Sequence, residues 1–205
     1  TFTWNVNQNP NTTRFEVSRS LDNFQTDFST PIALADNFTT NTTTFDTLSA
    51  GTTYYVRVRA ANGEISPIYT VFDTIVSTQT LPAVPTGLLG TAQGVSSITW
   101  TWSTVTGATA YKIYQASSSA VVATIANGSA TSFSEVALST NVAYGRRISA
   151  VDNSGEGALS GATTTYTKAA VPGTPVFTNV FFSSFTVTWS ANQNPAGTRY
   201  EVSRS

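Results

Sequence analysis

The chain has 205 residues, a net charge of −1, only 10% charged residues, and no His, Cys or Met. Without His and Cys it can form neither a Ser-His-Asp triad, nor a cysteine nucleophile, nor the usual zinc sites, so we expect no catalysis, no metal and no cofactor. The near-zero net charge argues against nucleic-acid binding, and no apolar run is long enough to span a membrane. The polar, Thr- and Ser-rich composition favours an extracellular or cell-surface location.

Apolar and polar residues alternate with a period of two through most of the chain, which predicts strands, whereas helical periodicity is absent. The chain opens on a strand at residues 1–4. A long Thr- and Asn-rich stretch at 20–47 follows, and residues 56–59 alternate again as a strand. The stretch at 20–47 makes this part of the chain unusually long for a small β-domain.

The middle of the chain predicts seven short strands separated by turn signals such as Thr106-Gly107 and Asn127-Gly128. Seven short strands in about 90 residues indicate a β-sandwich. The predicted strands lie near 86–92, 95–103, 109–115, 120–125, 130–134, 142–151 and 159–167.

The sequence also repeats itself. Residues 1–20 and 186–205 are identical at 14 of 20 positions, at an offset of 185. A weaker copy, residues 98–103, matches residues 185–190 at an offset of 87. The repeating unit is therefore a domain of about 90 residues used in two alternating types.

Proline-bearing joints at 81–85 and 169–175 mark the domain boundaries, because proline stiffens a linker and blocks sheet pairing. We predict a domain lacking its opening strand at 1–81, a complete domain at 82–170, and the opening strands of a third at 171–205. We expect the chain to continue past both ends; strand exchange between separate copies is the alternative. The expected partners are thus neighbouring domains of the same chain or further copies of it.

Three motifs recur in the same order, and together they give the chain a family resemblance. They are a Trp closing the second strand, a Leu six residues before a Tyr, and the run that follows this Tyr. The motifs occupy Trp4, Trp102 and Trp189; Leu48 with Tyr54 and Leu138 with Tyr144; and residues 148–157 with a weaker copy at 58–64. In these features the chain resembles tandem fibronectin type III domains of the kind common in bacterial surface proteins.

The resemblance implies an all-β fold of tandem seven-stranded, immunoglobulin-like sandwiches, with the Leu and Tyr pairs forming tyrosine corners. It also implies a spacer, scaffold or adhesion role more often than catalysis, although a fold does not dictate a function. Strand alternation places the tryptophans on core faces rather than on a sugar-binding surface. The predicted structural core comprises Trp4, Trp100, Trp102, Trp189, Leu48, Tyr54, Leu138 and Tyr144.

Other polar groups have a structural interpretation beside a functional one. Residues 152–157 resemble a calcium loop but lack its spacing, so we predict a turn. Arg57 and Arg59 could bind an anion, but on a solvated strand face Glu16 is the expected partner. The remaining candidates are the pair Arg146 and Arg147 for an anion, the isolated carboxylates Glu64, Glu135 and Glu156, and the glycosylation sequons at Asn11, Asn37, Asn41 and Asn127.

Three functions fit this sequence. The first is a structural segment of a long extracellular repeat protein, such as a surface layer, stalk or filament. The second is an adhesin rod, whose 20–47 stretch would bind a glycan or another surface ligand. The third is a spacer in a secreted polysaccharide-degrading enzyme.

Overall fold

The computed structural model describes residues 1–63 and 67–203, and the chain divides into two compact units. The first unit contains residues 1–83 and 151–156, and the second contains residues 84–150 and 157–205. The expected all-β fold of immunoglobulin-like sandwiches is confirmed. The finer division into three domains stays a prediction.

The first unit contains a two-stranded and a four-stranded antiparallel sheet. β1 pairs with β4, and the larger sheet has the order β3-β2-β5-β6. Val17 on β2 lies opposite Val58 on β5, so the inward residues of both strands meet one core. The strands are β1 (Phe2–Thr3), β2 (Arg14–Ser20), β3 (Ser29–Ile32), β4 (Thr42–Thr43), β5 (Thr53–Ala61) and β6 (Val76–Gln79), with a 3-10 turn at Leu34–Asp36.

Trp4 follows β1 and is the centre of the core between these two sheets. Its ring centroid lies 5.4 Å from Phe15, 5.4 Å from Phe2 and 6.2 Å from Phe38. Alternation along β2 and β5 supplies the rest of the core. The buried residues packed together here are Trp4, Phe15, Val17, Ile32, Val56, Val58 and Ala60.

The second unit contains a seven-stranded sandwich near the predicted positions. Its strands are β7 (Leu89–Gly94), β8 (Ser97–Thr101), β9 (Ala110–Gln115), β10 (Val121–Ile125), β11 (Ser132–Glu135), β12 (Ala143–Asp152) and β14 (Thr163–Tyr166). One sheet has the order β11-β8-β7, and the other has the order β10-β9-β12-β14. The short β13 (Gly155–Glu156) pairs with the last two residues of β12 and is grouped with them in the first unit.

Two tryptophans on one side of β8 fill this sandwich. Trp100 is fully buried, and its ring lies 2.6 Å from where a Cβ on Gly90 would stand, so only glycine fits at that position. Trp102 is 5% exposed and packs 5.4 Å from the Tyr111 ring. The buried cluster comprises Ile98, Trp100, Trp102, Tyr111, Ile113, Ile148 and Ala150.

The last described residues form a smaller arrangement. β15 (Val176–Thr178) pairs with β16 (Thr186–Thr188), and Phe177 meets Phe185 edge to face at 5.0 Å. Trp189 is half-buried and packs 5.7 Å from Tyr200. Within residues 1–63 and 67–203, no helix is long and apolar enough to cross a membrane.

We expect Trp102→Ala to lower the free energy of unfolding of the second unit by about 3–5 kcal/mol, because it removes a buried indole and leaves a cavity. Denaturant unfolding of the whole chain measures this loss. The matched control is Trp189→Ala, which should cost less because that ring is only half-buried. A loss below about 1 kcal/mol for Trp102→Ala would contradict its place in the core.

Candidate functional site

The second unit contains a buried ion pair that bridges the two sheets. Arg146 on β12 occupies a core-facing position, and its guanidinium binds both oxygens of Glu135 at the end of β11, with Nε 3.0 Å from Oε2. Trp100 donates its Nε1–H to Glu135 Oε2 at 2.9 Å. Both charged side chains are over nine-tenths buried. Arg146 is therefore occupied by an internal partner and cannot serve an external anion.

The two predicted tyrosine corners have matching geometry. Tyr54 Oη accepts a hydrogen bond from the Ser49 amide at 2.9 Å, and Tyr144 Oη accepts one from the Ser139 amide at 2.8 Å. Each corner is completed by a threonine whose hydroxyl donates to the same serine's carbonyl at 2.6 Å. These threonines are Thr80 and Thr167. Tyr54 is buried, whereas Leu48, Leu138 and Tyr144 are half-buried.

The outer face of the four-stranded sheet carries alternating arginines and aromatic rings, which we call the arginine stack. The Arg57 guanidinium lies between Phe24, at 4.0 Å from the ring centroid, and Phe72, at 3.9 Å. Arg59 lies between Phe72, at 4.7 Å, and Tyr69, at 4.2 Å. Each ring presents its negative face to a cation. The arginines thus tie the loops of Phe24 and of Tyr69 and Phe72 to β5.

Arg59 also has the carboxylate partner expected from the sequence. Glu16 lies directly opposite Arg59 across β2 and β5, and the two side chains form an ion pair at 2.9 Å. The Nε atoms of Arg57 and Arg59 are buried without a hydrogen-bond partner. The rings cover the faces of both guanidinium groups. The arginine stack is therefore a packed surface and not an open cationic site.

The loop that supplies Phe24 is organised mainly by the Asp22 carboxylate, and Asp27 adds an acceptor for the Leu21 amide at 3.1 Å. Asp22 accepts hydrogen bonds from the Thr26 hydroxyl at 2.6 Å, from the Thr26 amide at 2.7 Å and from the Asp27 amide at 3.0 Å. The Thr26 hydroxyl bond, helped by the others, holds the Asp22 pKa well below its usual range. Asn23 and Phe24 adopt positive φ angles of 59° and 62°. The start of the 20–47 stretch is thus an ordered turn.

A cleft of about 430 Å³ opens beside Trp4 in the first unit. Its polar lining residues include Asn5, Asn7, Asn9, Thr70 and Asp73. Burial raises the Asp73 pKa, although a hydrogen bond of 2.7 Å from the Val58 amide opposes that shift. Amide, hydroxyl and carboxyl groups set among apolar residues are the kind of lining that binds small polar ligands.

The other predicted candidates lie apart from one another. Asp152 Oδ1 accepts from the Ser154 amide at 2.8 Å and from the Gly155 amide at 3.2 Å, which gives the predicted turn. Among the residues that the structure describes, no three His, Cys, Asp or Glu side chains group closely enough to hold a metal ion. Glu64 lies outside the described residues. The sequon residues Asn11, Asn37, Asn41 and Asn127 are exposed.

Sequence reasoning missed the ion pair, the arginine stack and the cleft. A signal for the ion pair was present, because Arg146 shares the core-facing alternation of Ile148 and Ala150 along β12. The stack had no comparable signal, since Phe24 and Phe72 come from irregular segments far apart in the sequence.

No family model and no curated protein matches the chain. Among solved structures, the chain is similar to a two-domain fibronectin type III segment of chicken tenascin, at 19% identity and a TM-score of 0.49, over 75% of this chain and 84% of that one. It is also similar to the chicken CNTN1 FN1–FN3 domains, at 16% identity and a TM-score of 0.39. That match covers 77% of this chain and 57% of the CNTN1 chain.

We expect Glu135→Gln to lower the free energy of unfolding of the second unit by about 3–5 kcal/mol, because it leaves the Arg146 charge buried without a counter-ion. The double variant Glu135→Gln/Arg146→Met should regain most of that loss. Glu16→Gln, which breaks the surface pair with Arg59, is the control and should cost about 1 kcal/mol or less. Equal losses at the two sites, measured by denaturant unfolding, would contradict a buried pair.

For the arginine stack, we expect Arg57→Gln to lower the free energy of unfolding of the first unit by about 1–2 kcal/mol, because it removes two cation–π contacts. Arg19→Gln is the control, since Arg19 lies farther from its rings, 5.3 Å from Tyr54 and 5.7 Å from Phe45. Thermal unfolding measures both variants. A loss for Arg57→Gln no larger than that for Arg19→Gln would refute a stabilising stack.

Proposed function

We propose that the chain is a structural segment of a long extracellular repeat protein, such as a surface layer, stalk or filament, and that it has no catalytic role. In this proposal the domains act as rigid spacers. Length then comes from repetition of similar, independently folded units instead of from one large core. The proposed partners are neighbouring domains of the same chain.

The observation that carries this proposal is a loop that recurs with the same geometry 185 residues apart in sequence. Asn7 and Gln8 have φ angles of 47° and 65°, and the equivalent Asn192 and Gln193 have 51° and 69°. In both copies the main-chain amide of the second asparagine donates to the carbonyl three residues earlier. The distances are 2.9 Å for Asn9 and 3.1 Å for Asn194. A sequence repeat that also preserves an uncommon backbone conformation favours a protein built from copies of one module.

The tyrosine corners support the same conclusion. Both pair a tyrosine hydroxyl with a serine amide and a threonine hydroxyl with that serine's carbonyl. The two corners belong to the two alternating domain types. The two domain types share this framework and differ in their surfaces, as we expect of repeated spacer domains.

The composition supports an extracellular location. The chain has no Cys or Met to oxidise, and its few charges leave Thr, Ser and Asn to cover the surface. Apolar packing and internal polar bonds then replace the disulfides of many secreted domains.

Adhesion is the alternative, and the cleft beside Trp4, with its amide, hydroxyl and carboxyl groups, is the observation that favours it. In this reading the cleft takes the place of the 20–47 stretch as the ligand surface, because Phe24 already packs on Arg57. The expected ligand is a hydroxyl-rich glycan, bound through Asn5, Asn7 and Asp73. A glycan array probed with the whole chain and with its Asp73→Ala variant distinguishes adhesion from a spacer role.

The spacer proposal is tested by concatenation. Chains with one, two and three copies of residues 1–185 restore the natural sequence junction, because residue 186 begins the next copy. We expect the maximum dimension from X-ray scattering to grow linearly with copy number while the melting temperature stays nearly constant. Dimensions that grow only as the cube root of mass would contradict a spacer.

A further inference from the structure

In the second copy of the repeated loop, two asparagine side chains hold the main chain of the linker that precedes it. Asn194 Oδ1 accepts from the Ala170 amide at 2.9 Å, and Asn194 Nδ2 donates to the Ala170 carbonyl at 2.8 Å. Asn192 Nδ2 donates to the Val171 carbonyl at 2.7 Å. One carboxamide thus satisfies both main-chain groups of one linker residue, as a neighbouring strand would.

The turn itself fixes the orientation of these side chains. Asn194 Nδ2 also donates to the Ala191 carbonyl at 2.8 Å, and the main-chain amide of Asn192 donates to Ser190 Oγ at 3.2 Å. The linker continues past the loop, where the Gly173 amide donates to the Ser190 carbonyl at 2.9 Å. Asn194 is only 8% exposed.

The first copy of the loop has the same geometry. Asn9, the equivalent of Asn194, donates its Nδ2 to the Val6 carbonyl at 2.7 Å, so its carboxamide is already oriented. Asn7, the equivalent of Asn192, donates its main-chain amide to Asn5 Oδ1 at 2.8 Å. The pairs Asn7/Asn9 and Asn192/Asn194, which we call the linker clasp, are therefore preformed in the same way in both copies.

Among the described residues 83–109, the other type of domain has no such clasp. Its linker, Ala83-Val84-Pro85, has the same sequence as Ala170-Val171-Pro172, but its loop at 103–109 contains no asparagine. The residues equivalent to Ser190 and Gly173 still form a hydrogen bond there, with donor and acceptor exchanged: the Ser103 amide donates to the Thr86 carbonyl at 2.9 Å. The asparagines, and not the linker sequence, distinguish the two kinds of joint.

We propose that Asn7 and Asn9 form a binding site for the main chain of an extended Ala-Ala-Val-Pro linker, joined ahead of them in the same chain. Asn9 binds both main-chain groups of the second alanine, and Asn7 binds the carbonyl of the valine. Proline two residues beyond that alanine restricts the linker to extended backbone, which lowers the entropy lost on docking. The site recognises main chain, so it depends on conformation more than on side-chain identity. The choice of occupant rests on the proposed repeat function.

The test adds the linker to the whole chain. An isotope-labelled copy of residues 168–185 is ligated directly ahead of Thr1. The copied Phe185 then precedes Thr1 as the native Phe185 precedes Thr186. Hydrogen exchange by NMR then follows the amide of the added Ala170 copy. We expect Asn9→Ala to accelerate this exchange about tenfold, the effect of losing a hydrogen bond of ordinary strength. Asn194→Ala should accelerate exchange at the native Ala170 to a similar extent.

Two further variants keep the test decisive if Asn9→Ala disturbs the turn. Asn9→Asp retains the acceptor and should leave the added alanine amide protected. Gln8→Asn, at an exposed position of the same turn that also tolerates positive φ, should change nothing. Unchanged protection of the β2 and β5 amides shows that the first unit remains folded.

The proposal is overturned if Asn9→Ala leaves exchange of the added alanine unchanged while the unit is folded. It is also overturned if the chain without the added segment shows concentration-dependent protection of the Asn9 side-chain amide, because the occupant would then be a second copy. Failure in either way leaves the spacer proposal standing, since linear growth with copy number is a separate measurement.

Discussion

Each unit depends on the packing of a buried tryptophan that directly follows a strand, Trp4 after β1 and Trp102 after β8. Trp4 and Trp102 are buried, and both indole Nε1 atoms lack a hydrogen-bond partner. Such a residue stabilises the fold by apolar contact alone, since the unpaired N–H opposes burial. In a chain without disulfides this contact sets which strands face inward, and the neighbouring aromatic rings then follow from strand alternation.

The two units add different polar bonds to this common core. The second unit buries Glu135 and Arg146 between its sheets, where the pair connects β11 to β12. Because both charges lose their hydration, such a pair adds little net stability, although removing one partner is costly. The equivalent core-facing position on β5 of the first unit is apolar, as at Val56 and Val58. That unit has its arginines on the outside. The two domain types thus share a core and differ in where they place charge.

The strands of residues 86–167 and the core-facing tryptophans could be predicted from the sequence, because both follow from alternation along the chain. The corner tyrosines came instead from the family resemblance, of which the Leu and Tyr spacing is one motif. Glu16 opposite Arg59 could also be predicted, since cross-strand neighbours follow from strand register. The partners of Arg57 could not, because Phe24 and Phe72 lie on loops whose course no periodicity encodes. The linker clasp required the structure too: the repeat revealed that Asn9 and Asn194 are equivalent, but not that Asn194 binds the main chain of the linker.

The contacts of Arg57 have a chemical consequence for a protein exposed to changing surroundings. A guanidinium keeps its charge throughout the physiological range, and the phenylalanine rings beside Arg57 have no proton to gain or lose. Because rings shield this cation on both faces, added salt weakens its contacts less than it weakens an open ion pair. The contacts of Arg57 with Phe24 and Phe72 should therefore persist through changes in pH and salinity, conditions in which surface networks of carboxylates and lysines loosen.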